Sequence, residues 1–225
     1  MEPGAVLVWW TGVENRERAA LRYAPFLSPA EKERADSYKS ESRAAQFITG
    51  RGRLRMILSE ITGVPPGDLA IVAGEHGKPV LAGEPGLHFS IAHSKDAALI
   101  AVTRIGPIGV DLEALRPVAH MERLARRWFT EDDVSYLVEA GPAERTARFF
   151  WLWTRKEALF KAWGTGISWE SARRVSVRLD RIGPPAPKSR SQPAAGWWSI
   201  RSWSPRPGYA AAVAAPGDSW RLVMC

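Results

Sequence analysis

Apolar and polar positions alternate in two different periods along the chain, and the switches between them mark out the elements. Residues 5–13 form an apolar run of strand length. Between residues 42 and 62, Phe47, Leu54, Ile57, Leu58 and Ile61 recur at helical spacing, and Gly63 followed by Pro65-Pro66-Gly67 closes that helix. An earlier helix opens at Ser28-Pro29-Ala30-Glu31: Ser28 suits the cap, Pro29 the first helical position, and Glu31 stands three residues on, as in a capping box. Short strands follow around residues 69–72, 87–91 and 97–103, separated by turn residues.

Gly106-Pro107 marks a break near mid-chain. Beyond it the pattern predicts a strand at 108–112, helices at 121–129 and 131–139, and a longer helix at 144–163 ended by Gly164, with Gly166 beyond. Residues 175–179 alternate, with Val175, Val177 and Leu179 on one face and Arg174, Ser176 and Arg178 on the other, which predicts a strand. Residues 183–196 are rich in Pro, Ser and Ala without periodicity and read as a loop. Residues 197–203, 209–215 and 220–224 read as closing strands. Helices and strands occur in both halves, so the expected class is α+β with half-domains at 1–105 and 106–225.

Composition narrows the class. The chain has 225 residues, of which 45% are apolar and 24% charged, as in an ordinary globular protein. No apolar run reaches the ~20 residues of a membrane helix, and the start Met1-Glu2-Pro3-Gly4 lacks the basic region of a signal peptide. The single cysteine, Cys225, excludes an internal disulfide and a cysteine-based zinc site. A cytoplasmic protein with no membrane partner is the expectation. The net charge is +7, and the window from Arg173 to Arg206, with eight basic residues against Asp180, carries all of it. That confinement fits either a solvated edge hairpin or a docking surface for an acidic partner. Trp9, Trp128, Trp151, Trp153 and Trp163 fall in predicted strands or helices, which favours core packing over a stacking platform.

Five short segments carry chemistry. In Gly109-Val110-Asp111-Leu112-Glu113, Asp111 and Glu113 share a strand face. Two carboxylates this close resist joint ionisation unless a cation lies between them, and oxygen ligands suit Mg²⁺. Acids at strand ends are common, so the pair alone leaves that open. In Trp153-Thr154-Arg155-Lys156-Glu157-Ala158-Leu159-Phe160-Lys161, Glu157 and Lys161 share a helix face. This is either an exposed ion pair worth a few tenths of a kcal/mol (~0.2–0.5) or, given the apolar helix around it, the lining of a cleft. Phe89-Ser90-Ile91-Ala92-His93-Ser94 sets a histidine beside a hydroxyl just past a strand. Gly77-Lys78-Pro79 fixes a cation in a turn. Thr49-Gly50-Arg51-Gly52-Arg53 puts two glycines inside a helix at about 1 kcal/mol each, which close approach of a ligand or neighbouring backbone would explain.

In their order and spacing these segments resemble the motif series of the 4′-phosphopantetheinyl transferases, in the larger pseudo-dimeric class typified by the surfactin-synthetase activator. The likeness runs from about Ser28 to Val177, and 44 residues separate Glu113 from Glu157. It implies two similar half-domains related by a pseudo-twofold, each a small, mainly antiparallel sheet packed with helices. The N-terminal half would take the nucleotide side of coenzyme A and the C-terminal half the metal carboxylates and catalytic helix. It also implies transfer of the phosphopantetheine arm of coenzyme A to a serine of an apo acyl or peptidyl carrier protein, releasing adenosine 3′,5′-bisphosphate.

By the same resemblance Asp111, Glu113 and Glu157 would hold Mg²⁺, with Mn²⁺ also suited. Glu157 would be the base for the carrier serine, Lys161 and His93 would contact the pyrophosphate, and Ser94 would be a further phosphate contact. Lys78 and Arg51 would lie near the 3′-phosphate and nucleotide, and Lys156 would be a cation beside the base. Where the family often has Ser before the histidine, this chain has Ala92. Of two positions where the family places basic residues, one is Glu31, leaving Arg34 as the candidate. Carrier proteins are acidic, so Arg174 and Arg178 are candidates for steering, and residues 117–121 with Val118 and Met121 for a docking loop. A monomer is expected. The alternatives are a nonenzymatic coenzyme A or nucleotide-binding module, which would not need all three carboxylates, and a nucleic-acid binder, which would need basic and aromatic residues interleaved on one surface.

Overall fold

The computed structural model describes residues 1–74, 77–182 and 196–225. Two four-stranded sheets form its centre. In the first, the strand order is β10-β1-β5-β4, with β1 at Ala5–Gly12, β4 at His88–Ser94, β5 at Ala97–Thr103 and β10 at Arg221–Met224. Strand β5 is buried along its whole length, which is why its sequence is apolar without alternation. It pairs antiparallel with both neighbours, and Lys95 takes a left-handed conformation in the two-residue turn joining it to β4. Strand β10 comes back from the C-terminus to pair parallel with β1, Val8 opposite Met224.

The first half also contains α1 (Arg16–Tyr23), α2 (Pro29–Ser37), α3 (Glu41–Thr62) and the hairpin of β2 (Ile71–Ala73) with β3 (Pro79–Leu81). Helix α2 has the capping box expected of Ser28 and Glu31, and Gly63 closes α3 in the left-handed conformation. Leu54, Ile57 and Leu58 of α3, all fully buried, pack on Phe89, Ile100 and Val102. Each such side chain contributes about 1.5–3 kcal/mol on burial.

The second sheet is antiparallel throughout, in the order β6-β9-β8-β7: β6 at Gly109–Ala114, β7 at Arg181–Ile182, β8 at Trp198–Trp203 and β9 at Tyr209–Pro216. Helices α4 (Met121–Trp128), α5 (Glu131–Val138), α6 (Pro142–Trp163) and α7 (Trp169–Ala172) complete this half. The two sheets meet where β6 runs beside β4. Serine side chains make the join: Ser90 Oγ accepts from the Val110 N–H at 3.1 Å, and Ser94 Oγ from the Ala114 N–H at 2.9 Å. One core spans the join, with Val8 and Leu99 of the first sheet against Val110 and Val213 of the second.

The structure is therefore α+β, as the pattern indicated, with the small, mainly antiparallel sheets packed with helices that the resemblance implied. The five tryptophans assigned to packing lie against the two outer cores, Trp9 in the first half and the other four in the second. One element differs. Residues 175–179 form no ladder, and Leu179 is 72% exposed. The segment bends at 178–180, and its carbonyls are taken by side chains of α6: Val175 by Lys156 Nζ at 2.5 Å, Val177 by Arg155 Nε at 2.5 Å, and Leu179 by Arg155 Nη2. The expected loop at 183–196 lies, up to residue 195, outside the described residues.

Candidate active site

Gly109 opens β6 against the last turns of α6. A Cβ there would stand 1.9 Å from the Ala158 carbonyl oxygen and 2.9 Å from Lys161 Cβ, so only a hydrogen lets the two backbones come this close. The contact sets Glu157 and Lys161, four apart on α6, alongside Asp111 and Glu113, two apart on β6. Lys161 Nζ lies 2.6 Å from Asp111 Oδ1. Asp111 is 6% exposed, and its second oxygen, Oδ2, is buried without a hydrogen-bond partner.

Electrostatics couples these four residues. Burial pushes the Asp111 carboxyl up to about 7; Lys161 opposes the shift, and Glu157 and Glu113 add to it. Burial also raises Glu157, against Lys161 and with Glu113. Burial works against the Lys161 ammonium, but Asp111, Glu157 and Glu113 outweigh it and hold its pKa above the ordinary lysine value. Glu113 is fixed from two sides, accepting from Ser94 Oγ at 3.1 Å and from Arg116 Nη1 at 2.8 Å.

Three carboxylates near one another, one with a bare buried oxygen, are a fitting donor set for a hard divalent cation that completes its shell with water and phosphate oxygens. Among the described residues, no group of three or more His, Cys, Asp or Glu is placed so that it could hold a metal ion as it stands, so the match lies in the chemistry of the donors.

From Lys161 a cleft of about 730 Å³ runs between the halves to α2 and α3. Its far wall is cationic. The guanidinium carbons of Arg34 and Arg51 lie 5.2 and 5.9 Å from the centre of the Phe47 ring. The Arg51 side chain is only 12% exposed, and its Nε is 3.3 Å from Glu31 Oε1. Nε and Nη1 of Arg51 nevertheless have no hydrogen-bond partner. Burial lowers the Arg51 pKa, with Glu31 opposing. His93 Nε2, also in this cleft, is buried without a partner. Burial first, then the charges of Lys161 and Arg51, push the imidazole down to about 4. A Cβ on Gly50 would stand 2.1 Å from that nitrogen, so the helix glycine makes room for the histidine.

The comparisons with known proteins decide what this arrangement belongs to. A family model for the 4′-phosphopantetheinyl transferase superfamily matches residues 107–214, the stretch that contains all three carboxylates. The chain is 34% identical over 219 residues to the 4′-phosphopantetheinyl transferase HetI of a Nostoc species, spanning 96% of this chain and 90% of that protein. It is 29% identical over 197 residues to the 4′-phosphopantetheinyl transferase Sfp of Bacillus subtilis, spanning 86% and 84%. For the 4′-phosphopantetheinyl transferase AcpT of Escherichia coli K12 the identity is 32% over 152 residues, spanning 68% and 72%.

The chain belongs to the 4′-phosphopantetheinyl transferase superfamily.

In this phosphopantetheinyl transferase the residues singled out from sequence divide into three sets. Asp111, Glu113, Glu157 and Lys161 come together, and Lys161 joins them to the cleft that it lines. Arg34, Arg51 and His93 line the cleft itself. Lys78, Ser94 and Lys156 are engaged elsewhere. Lys78 borders the cleft, but its ammonium donates to the carbonyls of Ile108 and Lys161, both at 2.8 Å, and burial pushes it down to about 8. It neutralises the carbonyl end of α6.

The phosphate contact expected of Ser94 is not what its hydroxyl does, because that hydroxyl is spent between Glu113 and the Ala114 N–H. Lys156 is corrected more sharply. It is 0% exposed, and its three donors meet Asp133 Oδ2 at 2.9 Å and the carbonyls of Ala172 and Val175 at 2.8 and 2.5 Å. It is a core cation facing α5, with no proton left for a ligand.

Arg43, Gln46 and Phe47 also line the cleft and were not singled out. For Arg43 and Phe47 the signal was spacing: Arg43, Phe47, Arg51 and Arg55 stand four apart on α3 and make one stripe, whereas Gln46 lies outside it. Arg116, which holds Glu113, had no sequence signal beyond lying three residues after it.

Proposed function

We propose that this transferase moves the 4′-phosphopantetheine arm of coenzyme A onto a serine of an apo acyl or peptidyl carrier protein and releases adenosine 3′,5′-bisphosphate. Asp111, Glu113 and Glu157 would hold Mg²⁺, with Mn²⁺ as an alternative occupant. The observation that carries the reading is the bare, buried Oδ2 of Asp111 among two further carboxylates and Lys161, beside the cationic cleft that Lys161 lines. The names of the relatives support the reaction class. A cleft of about 730 Å³ suits a ligand of cofactor size.

The chain's own groups divide the work. Arg34 and Arg51 receive the nucleotide end, and Lys161 and His93 face the pyrophosphate. A cation on the three carboxylates, when bound, would polarise phosphate oxygens and offset the charge that grows on the leaving group. Glu157, whose pKa burial raises, is suited to accept the proton of the incoming serine. The serine oxygen bonds to the β-phosphorus and its proton goes to Glu157. The bridging P–O bond then breaks, and adenosine 3′,5′-bisphosphate leaves with the electron pair. Lys161 stabilises that charge where it develops. The carrier would approach past Glu113, where Pro117, Val118, Trp128 and Trp153 line a groove of about 330 Å³.

The test is intact-mass spectrometry of an apo carrier protein incubated with the enzyme, coenzyme A and Mg²⁺. Parallel samples contain EDTA or the Glu157→Ala variant. The expected result is a gain of one phosphopantetheine arm, absent from both controls. No gain on any of several carriers, with coenzyme A binding intact, would favour a binding module instead.

A further inference from the structure

The Glu31 carboxylate sits at a junction of three helix-borne groups. Its Oε2 accepts from the Ser28 N–H at 2.9 Å, closing the capping box of α2, and from Arg55 Nε at 2.6 Å. Arg55 is anchored in turn by the carbonyls of Pro66 and Leu69, at 2.6 and 3.0 Å. Glu31 is thus immobilised, and its charge is offset by Arg55. Its second oxygen, Oε1, faces Arg51 Nε at 3.3 Å, too poorly aligned to be a hydrogen bond.

This leaves an excess of positive charge at the cleft wall. Two cations, Arg51 and Arg55, share one carboxylate, and Arg34 adds a third guanidinium over the same Phe47 ring. Nε and Nη1 of Arg51 are buried without partners, and so is His93 Nε2. The two buried Arg51 donors left unmet are costly, and an anion with several oxygens would satisfy them together.

We infer that Glu31 is a positioning residue for donor specificity: braced by Ser28 and Arg55, it aims Arg51 at the phosphate monoester of coenzyme A. The inference rests on the reading of the cleft as a coenzyme A site. Coenzyme A has one phosphate monoester, on its ribose; its other two phosphates form the pyrophosphate diester. A fixed guanidinium with free donors, beside a second guanidinium, matches the monoester, the more highly charged single phosphate. Glu31 acts through Arg51 and does not itself touch the ligand.

The test compares coenzyme A with 3′-dephospho-coenzyme A, which keeps the pyrophosphate and lacks the monoester. The donors are assayed with wild type, Glu31→Gln, Arg51→Ala and the double variant, on one apo carrier. Wild type should prefer coenzyme A, and Arg51→Ala should cut that kcat/KM preference by about tenfold or more, as expected for a charge-assisted contact. Glu31→Gln should cut it several-fold, and should cut it no further when Arg51 is already alanine. A loss that is equal on both donors, or additive in the double variant, overturns the inference and leaves the transferase reading standing. So does a wild type that does not discriminate between the donors. Transfer from neither donor by wild type overturns the reading itself. If Glu31→Gln does not fold, calorimetric binding of adenosine 3′,5′-bisphosphate and of adenosine 5′-monophosphate to wild type and Arg51→Ala decides: a preference for the bisphosphate that survives Arg51→Ala overturns the inference, and one that collapses supports it.

Discussion

Lys161 and Asp111 form a half-used pair: the ammonium lies 2.6 Å from Oδ1, while Oδ2 is buried and bare. The lysine opposes the desolvation that raises the carboxyl's pKa and leaves one oxygen open. Asp111→Asn should therefore abolish metal-dependent transfer. Lys161→Ala should lower kcat by about 10²–10³, the usual cost of losing one preorganised charge contact. Because both act on one phosphate, the double variant should lose little more than the worse single one. Steady-state kinetics of the three variants checks this; multiplicative losses would show that the two residues act independently.

Gly109 is the reason those residues meet. Adding a methyl 1.9 Å from the Ala158 carbonyl oxygen forces β6 and α6 apart. Gly109→Ala should cost about 1–3 kcal/mol or more, as overpacking does. It should also reduce transfer beyond what the loss of folded protein explains, because the carboxylates separate from Glu157. Thermal melts alongside activity per folded molecule make the comparison.

Much of this arrangement was legible in sequence because it depends on local period. The capping box at Ser28 and Glu31, the α3 stripe and the apolar β5 each follow from spacing within one element. The pairing of Asp111 with Glu113 and of Glu157 with Lys161 was visible for the same reason. What stayed hidden depends on contacts across the chain. Residues 175–179 alternate like a strand, yet their carbonyls go to Lys156 and Arg155, more than fifteen residues earlier. Lys156 stands beside Glu157 in sequence, but one step around a helix turns it by about 100°, from cleft to core. Helix α1 buries only Ala19 and Tyr23, so it has no apolar stripe to read.

The inward turn of Lys156 makes a separable prediction. Its pair with Asp133 is fully buried on both sides. Lys156→Met leaves the Asp133 carboxylate without its cation, and breaking such a pair costs about 3–5 kcal/mol. For a chain of this size each kcal/mol lowers Tm by about 2–4 °C, so the expected drop is roughly 6–20 °C. The affinity of the folded fraction for coenzyme A should not change, since Lys156 has no free donor in the cleft. A variant of normal Tm and weakened coenzyme A binding would place the ammonium on the ligand instead.

Lys78 gives a pH signature. Burial pushes its pKa from the ordinary 10.5 down to about 8. Below pH 8 the folded and unfolded states are both protonated, and the cost of burying the ammonium is fully present. Between about 8 and 10.5 the unfolded chain binds more protons than the folded one, so this residue's contribution to stability rises with pH. Relative to Lys78→Met, the wild type should gain stability across that window and level off above it. Urea midpoints of both proteins from pH 7 to 10.5 measure the difference, and a constant gap would show that Lys78 is not desolvated.

Arg174 and Arg178 bear on how the carrier arrives. Both are exposed, on a segment whose carbonyls α6 holds in place, so two cations are presented on a backbone tied to the helix that carries Glu157. Arg178 also rests over the ring of Tyr136, at 5.2 Å. Exposed charges contribute mainly to encounter and orientation, and salt screens them beyond about 8–10 Å at 0.1–0.15 M. For an acidic carrier, the double variant Arg174→Ala, Arg178→Ala should raise carrier KM several-fold at low salt with kcat unchanged. Wild type should converge on the variant as salt rises, while the KM for coenzyme A stays the same in both. A carrier KM that is insensitive to salt, or a variant matching wild type at low ionic strength, would remove these arginines from the docking path and return them to the role of a solvated face.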